Sequence, residues 1–253
     1  MEIGTRKVLG NSAAAVWQAG LHLLWPDKCL VCGQSIHPAD EQLCRSCWQD
    51  LSEAVSGDYC RRCGHDVSPY GIVGGRCGYC QQLELPYDGI VRVGRYESAL
   101  RALILLLKFS EQTQLADRLS QMLQQALLTS PFLSRIDMLV PVPLHWRRRL
   151  QRGFNQSCLL AKKLQSLNIP TAADLIRVRN TEQQWDLTPA QRRRNVRGAF
   201  AVRRGHPFAN KTIVLVDDVT TSGATLEECA RTLKLAGASG VYAAVVAAAH
   251  PVS

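Results

Sequence analysis

The sequence lacks an apolar run long enough to cross a bilayer, which takes about 20 consecutive residues in a helix. The apolar stretch from Ala13 to Trp25 is interrupted by Gln18 and His22. No convincing small-residue cleavage site follows this stretch, so it does not fit a secretory signal either. We therefore predict an N-terminal amphipathic helix within residues 1–27, no membrane insertion, and a cytoplasmic protein.

Acidic residues are comparatively scarce. The 253-residue chain has 21 Asp and Glu against 30 Lys and Arg, and its formal net charge is +9. The imbalance is concentrated between residues 145 and 204, where 14 basic residues face 3 acidic ones. Such a charge distribution favours phosphorylated ligands or polyanionic partners, but it carries no information about the fold.

The stretch from Thr212 to Leu226, TIVLVDDVTTSGATL, has neither the lysine of a Walker A loop nor the triple glycine of a dinucleotide fingerprint. It contains an apolar strand, two adjacent carboxylates, a small hydroxylated loop and the start of a helical period. In a parallel α/β sheet such a loop lies at the carboxyl edge, where its amides suit a phosphate. The two carboxylates suit sugar hydroxyls or a hydrated Mg²⁺.

Disulfides are also not expected, although the chain has ten cysteines. Eight of them form four C-x-x-C pairs, and two such pairs close a tetrahedral Cys₄ zinc site. The gaps of 11, 12 and 13 residues between pairs do not decide which pairs combine. A weak C-x-x-C-G repeat favours two sequential ribbons, with cross-bracing of the first and third pairs as the alternative. The predicted ligands are Cys29, Cys32, Cys44 and Cys47, then Cys60, Cys63, Cys77 and Cys80.

Periodicity predicts an alternating set of strands and helices after the cysteine block. The remaining two cysteines, Cys158 and Cys229, fall inside predicted helices, and we expect both to be buried. The arginine-rich segment from Leu175 to Phe200 has little periodicity and is interpreted as a lid with a short helix near its end. The predicted strands cover residues 89–96, 136–142, 213–217 and 241–249, and the predicted helices cover residues 100–108, 115–128, 156–167 and 226–235.

Several segments, taken in order, resemble the ComF/GntX family of bacterial phosphoribosyltransferase-like proteins, which are linked to competence and to use of external DNA. The stretch Thr212–Leu226 looks like the signature of type I phosphoribosyltransferases, which bind phosphoribosyl pyrophosphate (PRPP). The other matching features are the cysteine-rich N-terminus, LLLKF, PVPLHWRRRLQRGFNQ and RVRNTEQQWDLTPAQRRRNVRGAF.

This resemblance implies an α/β type I phosphoribosyltransferase fold, a parallel sheet flanked by helices, over residues 87–253. A double Cys₄ zinc ribbon over residues 28–86 would precede it. Asp217 and Asp218 would be the catalytic pair that holds the ribose hydroxyls. The 5-phosphate would be held by Thr221, Ser222, Gly223, Ala224 and Thr225. The cations for Mg²⁺–pyrophosphate would be Lys108, Arg152 and Arg193.

A segment that reads an acceptor base is missing from the sequence. Two hypotheses therefore stand. The first is a PRPP-dependent transferase with an unknown acceptor, in which electrostatic stabilisation of the leaving pyrophosphate is the main task. The second is a non-catalytic protein of the same fold that binds single-stranded DNA or a protein partner of DNA uptake, for which exposed aromatic side chains beside cations would be needed.

Overall fold

The computed structural model describes residues 27–37, 42–109, 113–181 and 188–249. Residues 1–26, which carry most of the predicted N-terminal helix, lie outside the described residues. The chain divides into two units, Met1–Glu53 and Ala54–Ser253. The second cysteine block therefore belongs to the same unit as the predicted phosphoribosyltransferase domain.

The first unit contains the first two C-x-x-C pairs. An isolated antiparallel bridge between Lys28 and Ser35 closes the turn that carries Cys29 and Cys32. The next pair leads into helix α1, Arg45–Val55, whose last two residues belong to the second unit. Leu43 and Leu51 are fully buried.

The second unit is built on a four-stranded sheet in which every neighbouring pair of strands is parallel. All four strands lie within about two or three residues of their predicted positions, an offset that is usual for element boundaries. From one edge of the sheet to the other, the strands are β3 Gly89–Arg95, β8 Gly240–Ala248, β7 Thr212–Thr220 and β4 Met138–Pro141.

Two short antiparallel pairs lie outside this sheet. The pair β1 Ile72–Val73 and β2 Arg76–Cys77 forms the hairpin of the second cysteine block. The pair β5 Leu175–Arg177 and β6 Phe200–Val202 brings the two ends of the predicted lid together. The segment predicted to be a lid therefore has a paired stem, which its sparse periodicity does not predict.

Within the residues that the structure describes, six α-helices complete the second unit. The helices predicted after the cysteine block are all present, and a further helix covers the arginine run that follows β4. The predicted helix over residues 156–167 ends earlier and continues as a 3₁₀ turn. The helices are α2 Ser98–Phe109, α3 Thr113–Leu128, α4 Trp146–Arg152, α5 Gln156–Lys163, α6 Pro189–Val196 and α7 Ala224–Leu235.

The central strands β7 and β8 are nearly continuous apolar runs because helices cover both faces of a parallel sheet. Val214, Leu215, Val245 and Val246 are completely buried. This arrangement confirms the predicted α/β class. Among the helices of the described residues, none combines the length and the apolar character that a membrane span requires.

One expectation about burial is wrong. Cys229 on α7 is completely buried, as predicted, but Cys158 on α5 is exposed. The apolar pattern of α5 is satisfied by Leu160 and Ala161, which are buried on the other side of the helix. Helical position alone therefore does not decide the environment of a cysteine in so short a helix.

Candidate functional site

The acidic pair lies near the carboxyl end of β7, and its two members have different partners. Asp217 accepts a hydrogen bond from the Ser157 hydroxyl, with 2.8 Å between Oγ and Oδ1. Asp218 forms an ion pair with Lys108, whose Nζ lies 2.8 Å from Oδ2. Both aspartates are only 9% exposed. Three elements, β7, α5 and α2, therefore converge on the pair.

Asn155 sets the position of Ser157. Asn155 is the N-cap of α5, and its Oδ1 accepts a hydrogen bond from the Ser157 amide at 3.0 Å. Its Nδ2 donates to the carbonyl oxygen of Val142 at 3.0 Å, just beyond β4. An asparagine that caps one helix and binds the neighbouring strand end holds the start of α5 against the sheet.

The pKa of Asp217 is raised to about 8, first by burial and then by the neighbouring charge of Asp218, while the hydrogen bond from Ser157 opposes the shift. Two adjacent carboxylates in a dry site resist full ionisation together. At neutral pH the Asp217 side chain therefore retains a proton that it can donate in a hydrogen bond.

The loop after β7 turns into α7 at Gly223, which has a φ of +76° and is the N-cap of the helix. This left-handed conformation is the reason for a glycine at this position. The first amides of α7, which begins at Ala224, lack intrahelical acceptors and favour an anion. Thr221, Ser222 and Thr225 are half-buried beside them. The predicted phosphate-binding residues therefore lie together at one helix N-terminus.

The lid segment returns to this loop through α6. Thr188 and Gln191 form a reciprocal capping box, and proline is the first helical residue. The helix start is therefore specified locally by the sequence. From α6, the guanidinium of Arg192 donates to the Thr221 hydroxyl, with 2.9 Å between Nη1 and Oγ1.

The three predicted pyrophosphate cations occupy different surroundings. Lys108 is paired with Asp218, as described above. Arg193 makes a two-pronged contact with Glu227 of α7, with Nε–Oε2 at 2.8 Å and Nη2–Oε1 at 2.9 Å. The guanidinium of Arg152 lies over the ring of Phe109, 5.7 Å from its centroid. Carboxylates thus accompany two of these cations.

The cysteines form two clusters, and within each cluster all the sulfur atoms lie within 4.8 Å of one another. A tetrahedral site with Zn–S bonds of about 2.3 Å has S–S edges of about 3.8 Å. The Cys32–Cys44 and Cys60–Cys80 sulfur pairs both lie 3.7 Å apart, so the donor set fits zinc. The grouping is sequential and not cross-braced, with Cys29, Cys32, Cys44 and Cys47 in one cluster and Cys60, Cys63, Cys77 and Cys80 in the other.

Three residues of this region were not singled out by the sequence: Ser157, Arg192 and Glu227. Ser157 and Glu227 resemble any polar residue in the first turn of a helix, and Arg192 is one of three consecutive arginines. Asn155 as a helix N-cap would have pointed to the start of α5. Nothing local points to Glu227, whose partner is 34 positions away in the chain.

Two family models match the chain. The model described as a double zinc ribbon domain matches residues 20–82, and the model described as a phosphoribosyl transferase domain matches residues 152–251. Among solved structures, glutamine PRPP amidotransferase from B. subtilis is 21% identical with a TM-score of 0.38, covering 56% of this chain and 30% of that chain. A purine phosphoribosyltransferase from Pyrococcus horikoshii is 17% identical with a TM-score of 0.35, covering 55% and 75%.

The chain also matches curated proteins over most of its length. Competence protein F of Haemophilus influenzae is 32% identical over 216 residues, covering 83% of this chain and 92% of the relative. DNA utilization protein YhgH of Salmonella typhi is 34% identical over 222 residues, covering 85% and 94%. Competence protein ComFC of Bacillus subtilis is 26% identical over 200 residues, covering 77% and 78%. With both of its parts matched and its length nearly spanned, this chain belongs to the family of competence protein F, ComFC and YhgH.

Proposed function

We propose that this protein binds PRPP as its Mg²⁺ complex, at the loop between β7 and α7. The observation that carries the proposal is the junction itself, where an acidic pair precedes the N-terminus of a helix at the carboxyl edge of a parallel sheet. Ligands bind at this edge in open α/β sheets. The helix N-terminus suits a phosphate, and the acidic pair suits ribose hydroxyls.

In this proposal the 5-phosphate lies on the amides and hydroxyls of Thr221 to Thr225. Asp217 and Asp218 hold the ribose hydroxyls, and the proton kept by Asp217 allows that side chain to donate as well as accept. Lys108, Arg152 and Arg193 are the candidate cations near the pyrophosphate, which would also carry the Mg²⁺. These groups would stabilise negative charge as pyrophosphate leaves C1.

The eight clustered cysteines would hold two structural zinc ions. Four thiolates around each ion leave no open coordination position, so a structural role fits better than a catalytic one. Both clusters belong to the part of the chain that matches the double zinc ribbon model.

The names of the relatives connect the family with competence and DNA utilization. We therefore propose a role for this chain in the uptake or use of external DNA, through a phosphoribosyl compound or through a DNA-uptake partner. We assign none of the loop residues to binding the molecule that would accept the phosphoribosyl group.

Calorimetric titration with Mg²⁺–PRPP tests the proposal. We expect the wild type to bind. The affinity of the Asp217→Asn/Asp218→Asn variant should be lower by about tenfold or more, because a lost charge-assisted hydrogen bond is worth about 1.5–3 kcal/mol. Asp137→Asn is the matched control. Asp137 accepts a hydrogen bond from the amide of Thr212, the first residue of β7. No heat of binding with the wild type would refute the proposal.

One surface favours the second candidate, a protein that binds single-stranded DNA. Trp146 is 58% exposed and Phe109 is 72% exposed, and each has a guanidinium over its ring. Arg147 lies 5.3 Å from the centroid of Trp146. Exposed aromatic rings beside cations are what stacked bases require.

We expect Trp146→Ala to weaken binding of a labelled single-stranded oligonucleotide by about 1–3 kcal/mol, the contribution of one stacked base. The affinity of the wild type should also fall steeply as salt increases, because basic side chains release counterions from the phosphates. Leu235→Ala, which removes an 85% exposed apolar side chain from the end of α7, is the control. A flat salt dependence would count against this candidate.

A further inference from the structure

The lid helix α6 is held against α7 by an ion pair. Arg193 and Glu227 meet through two parallel N–H···O bonds, at 2.8 and 2.9 Å. The Glu227 side chain is 11% exposed and that of Arg193 is 38% exposed. A bidentate pair of this kind is strong and fixes orientation. A second contact with α7 comes from the Gly198 amide, which donates to Glu228 Oε1 at 2.7 Å.

Glu227 can reach this position because the proposed phosphate loop, Thr221 to Thr225, leaves room for it. A Cβ atom at Gly223 would lie 3.3 Å from Glu227 Oε1, closer than ordinary van der Waals contact. The amide of Glu227 donates to the carbonyl oxygen of Gly223 at 2.8 Å, which closes the first turn of α7. The carboxylate that receives Arg193 is therefore part of the same turn that forms the phosphate loop.

Residues of the second cysteine block lie in the same crevice as Arg193. Tyr79 is located between Cys77 and Cys80, and its ring stacks on His65 with 3.7 Å between centroids. Tyr79, Arg193 and Glu227 line one crevice together with the phosphate loop. The pKa of Arg193 is raised, first by its hydrogen bonds to Glu227, and the nearby Tyr79 side chain adds to this rise. Arg193 is thus bound by Glu227 of α7 and shares the crevice with Tyr79, which lies between two cysteines of the second cluster.

The docking of α6 through Arg193 also sets the position of Arg192. Arg192 precedes Arg193 on α6, and its guanidinium reaches the Thr221 hydroxyl at 2.9 Å. Thr221 belongs to the stretch proposed to hold the 5-phosphate. A helix docked through Arg193 therefore presents Arg192 to the phosphate, without the cost of ordering the lid when ligand arrives.

We propose that Arg193, Glu227 and Tyr79 form a latch, in which the Tyr79 hydroxyl is a second partner of Arg193. The latch docks helix α6 on the loop Thr221 to Thr225 and thereby positions Arg192 toward a bound phosphate. The proposal rests on the proposed PRPP function for its ligand. It gives the second cysteine cluster a positioning role in that site, and it makes Arg193 a positioning residue instead of a direct ligand of pyrophosphate.

The direction in which Glu227→Gln changes the affinity for Mg²⁺–PRPP distinguishes these two roles of Arg193. If Arg193 is part of the latch, Glu227→Gln should weaken Mg²⁺–PRPP binding about tenfold, because a bidentate charged contact is lost. If Arg193 binds pyrophosphate directly, the same change frees the arginine and removes a negative charge near an anion, so the affinity should rise. A rise in affinity would overturn the latch.

A second measurement needs no ligand. Hydrogen exchange of the amides of Arg192 to Val196 should be faster in Glu227→Gln than in the wild type, and also faster in Tyr79→Phe, which removes only the hydroxyl. Arg194→Gln, which removes the same charge from the next residue of α6, should leave the exchange unchanged. The double variant Arg193→Gln/Glu227→Gln should exchange no faster than Glu227→Gln, because both changes break one contact.

The two measurements can fail separately. Faster exchange without any PRPP binding by the wild type would refute the proposed ligand and retain the latch. Unchanged exchange in Glu227→Gln and Tyr79→Phe would refute the latch, whatever the protein binds. Thermal unfolding of each variant shows whether faster exchange is confined to α6 or accompanies a loss of the whole fold.

Discussion

Replacing Cys60 with serine is expected to unfold the phosphoribosyltransferase domain, whereas replacing Cys44 is expected to leave that domain folded. Cys60 is completely buried and belongs to the same unit as the parallel sheet, while Cys44 belongs to the other unit. Loss of a zinc ligand removes a metal-binding free energy of about 10–16 kcal/mol, comparable with the total stability of a domain. The fold of the sheet should therefore depend on the second zinc ion.

The physical connection runs through the residues between Cys60 and Cys63. The carbonyl oxygen of Arg61 accepts a hydrogen bond from the amide of Ile90 in β3 at 2.8 Å. The guanidinium of Arg62 donates to the carbonyl oxygens of Leu85, at 2.8 Å, and Tyr87. The second cluster thereby holds the edge strand of the sheet and the segment that leads to it.

Zinc content and unfolding by urea measure this effect together. Both variants should contain one zinc ion per chain where the wild type contains two. Only the Cys60→Ser variant should lose the cooperative unfolding transition of the sheet, followed by circular dichroism. An unchanged transition in Cys60→Ser would mean that the sheet is stable without its second cluster.

The stability of Asp217→Asn relative to the wild type is expected to increase as the pH rises toward 8. Burial raises the pKa of Asp217 to about 8 in the folded protein, against 3.8 for the ordinary carboxyl. Between these two values only the unfolded chain loses the proton, so a rise in pH favours unfolding of the wild type. The contribution of the protonated Asp217 is therefore complete below pH 4 and is lost as the pH rises through 8.

Asparagine has a similar shape and no proton to lose, so the variant lacks this dependence. The difference in unfolding free energy between the two proteins should widen by up to about 1.4 kcal/mol per pH unit and level off above pH 8. Urea titrations at pH 6, 7, 8 and 9 with zinc present provide the measurement, and the contribution of zinc cancels in the comparison. A constant difference across this range would show that Asp217 is already ionised in the folded protein.

The sequence alone was sufficient for features that depend on neighbouring residues. The β7–loop–α7 junction is contiguous, and its change from an apolar run to a helical period marks both elements. The same holds for the cysteine clusters, where the repeat of C-x-x-C-G favoured the sequential grouping found in the structure. The lid helix carries its own start signal in Thr188 and Gln191.

Other features depend on pairing between distant parts of the chain. The sequence placed the end of β7 at Asp217, because aspartate is unfavourable in strands. The structure continues the strand to Thr220, since β8 pairs with it as far as Ala248. The sequence pattern also does not predict the stem of β5 and β6. Each of these strands has three residues and is stabilised by pairing with the other.

The candidate site also combines residues that are adjacent in the chain with partners that are distant in it. Asp217, Asp218 and the phosphate loop follow one another in the chain, so a local pattern was enough to identify them. Their partners are far away: Ser157 lies 60 positions from Asp217, and Arg193 lies 34 positions from Glu227. Nothing in the residues adjacent to Ser157, Lys108 or Glu227 encodes these contacts, because they form only when the sheet brings the helix ends to one edge. The sequence therefore determined which groups could bind a phosphoribosyl compound, and the tertiary structure decided which charges each of those groups faces.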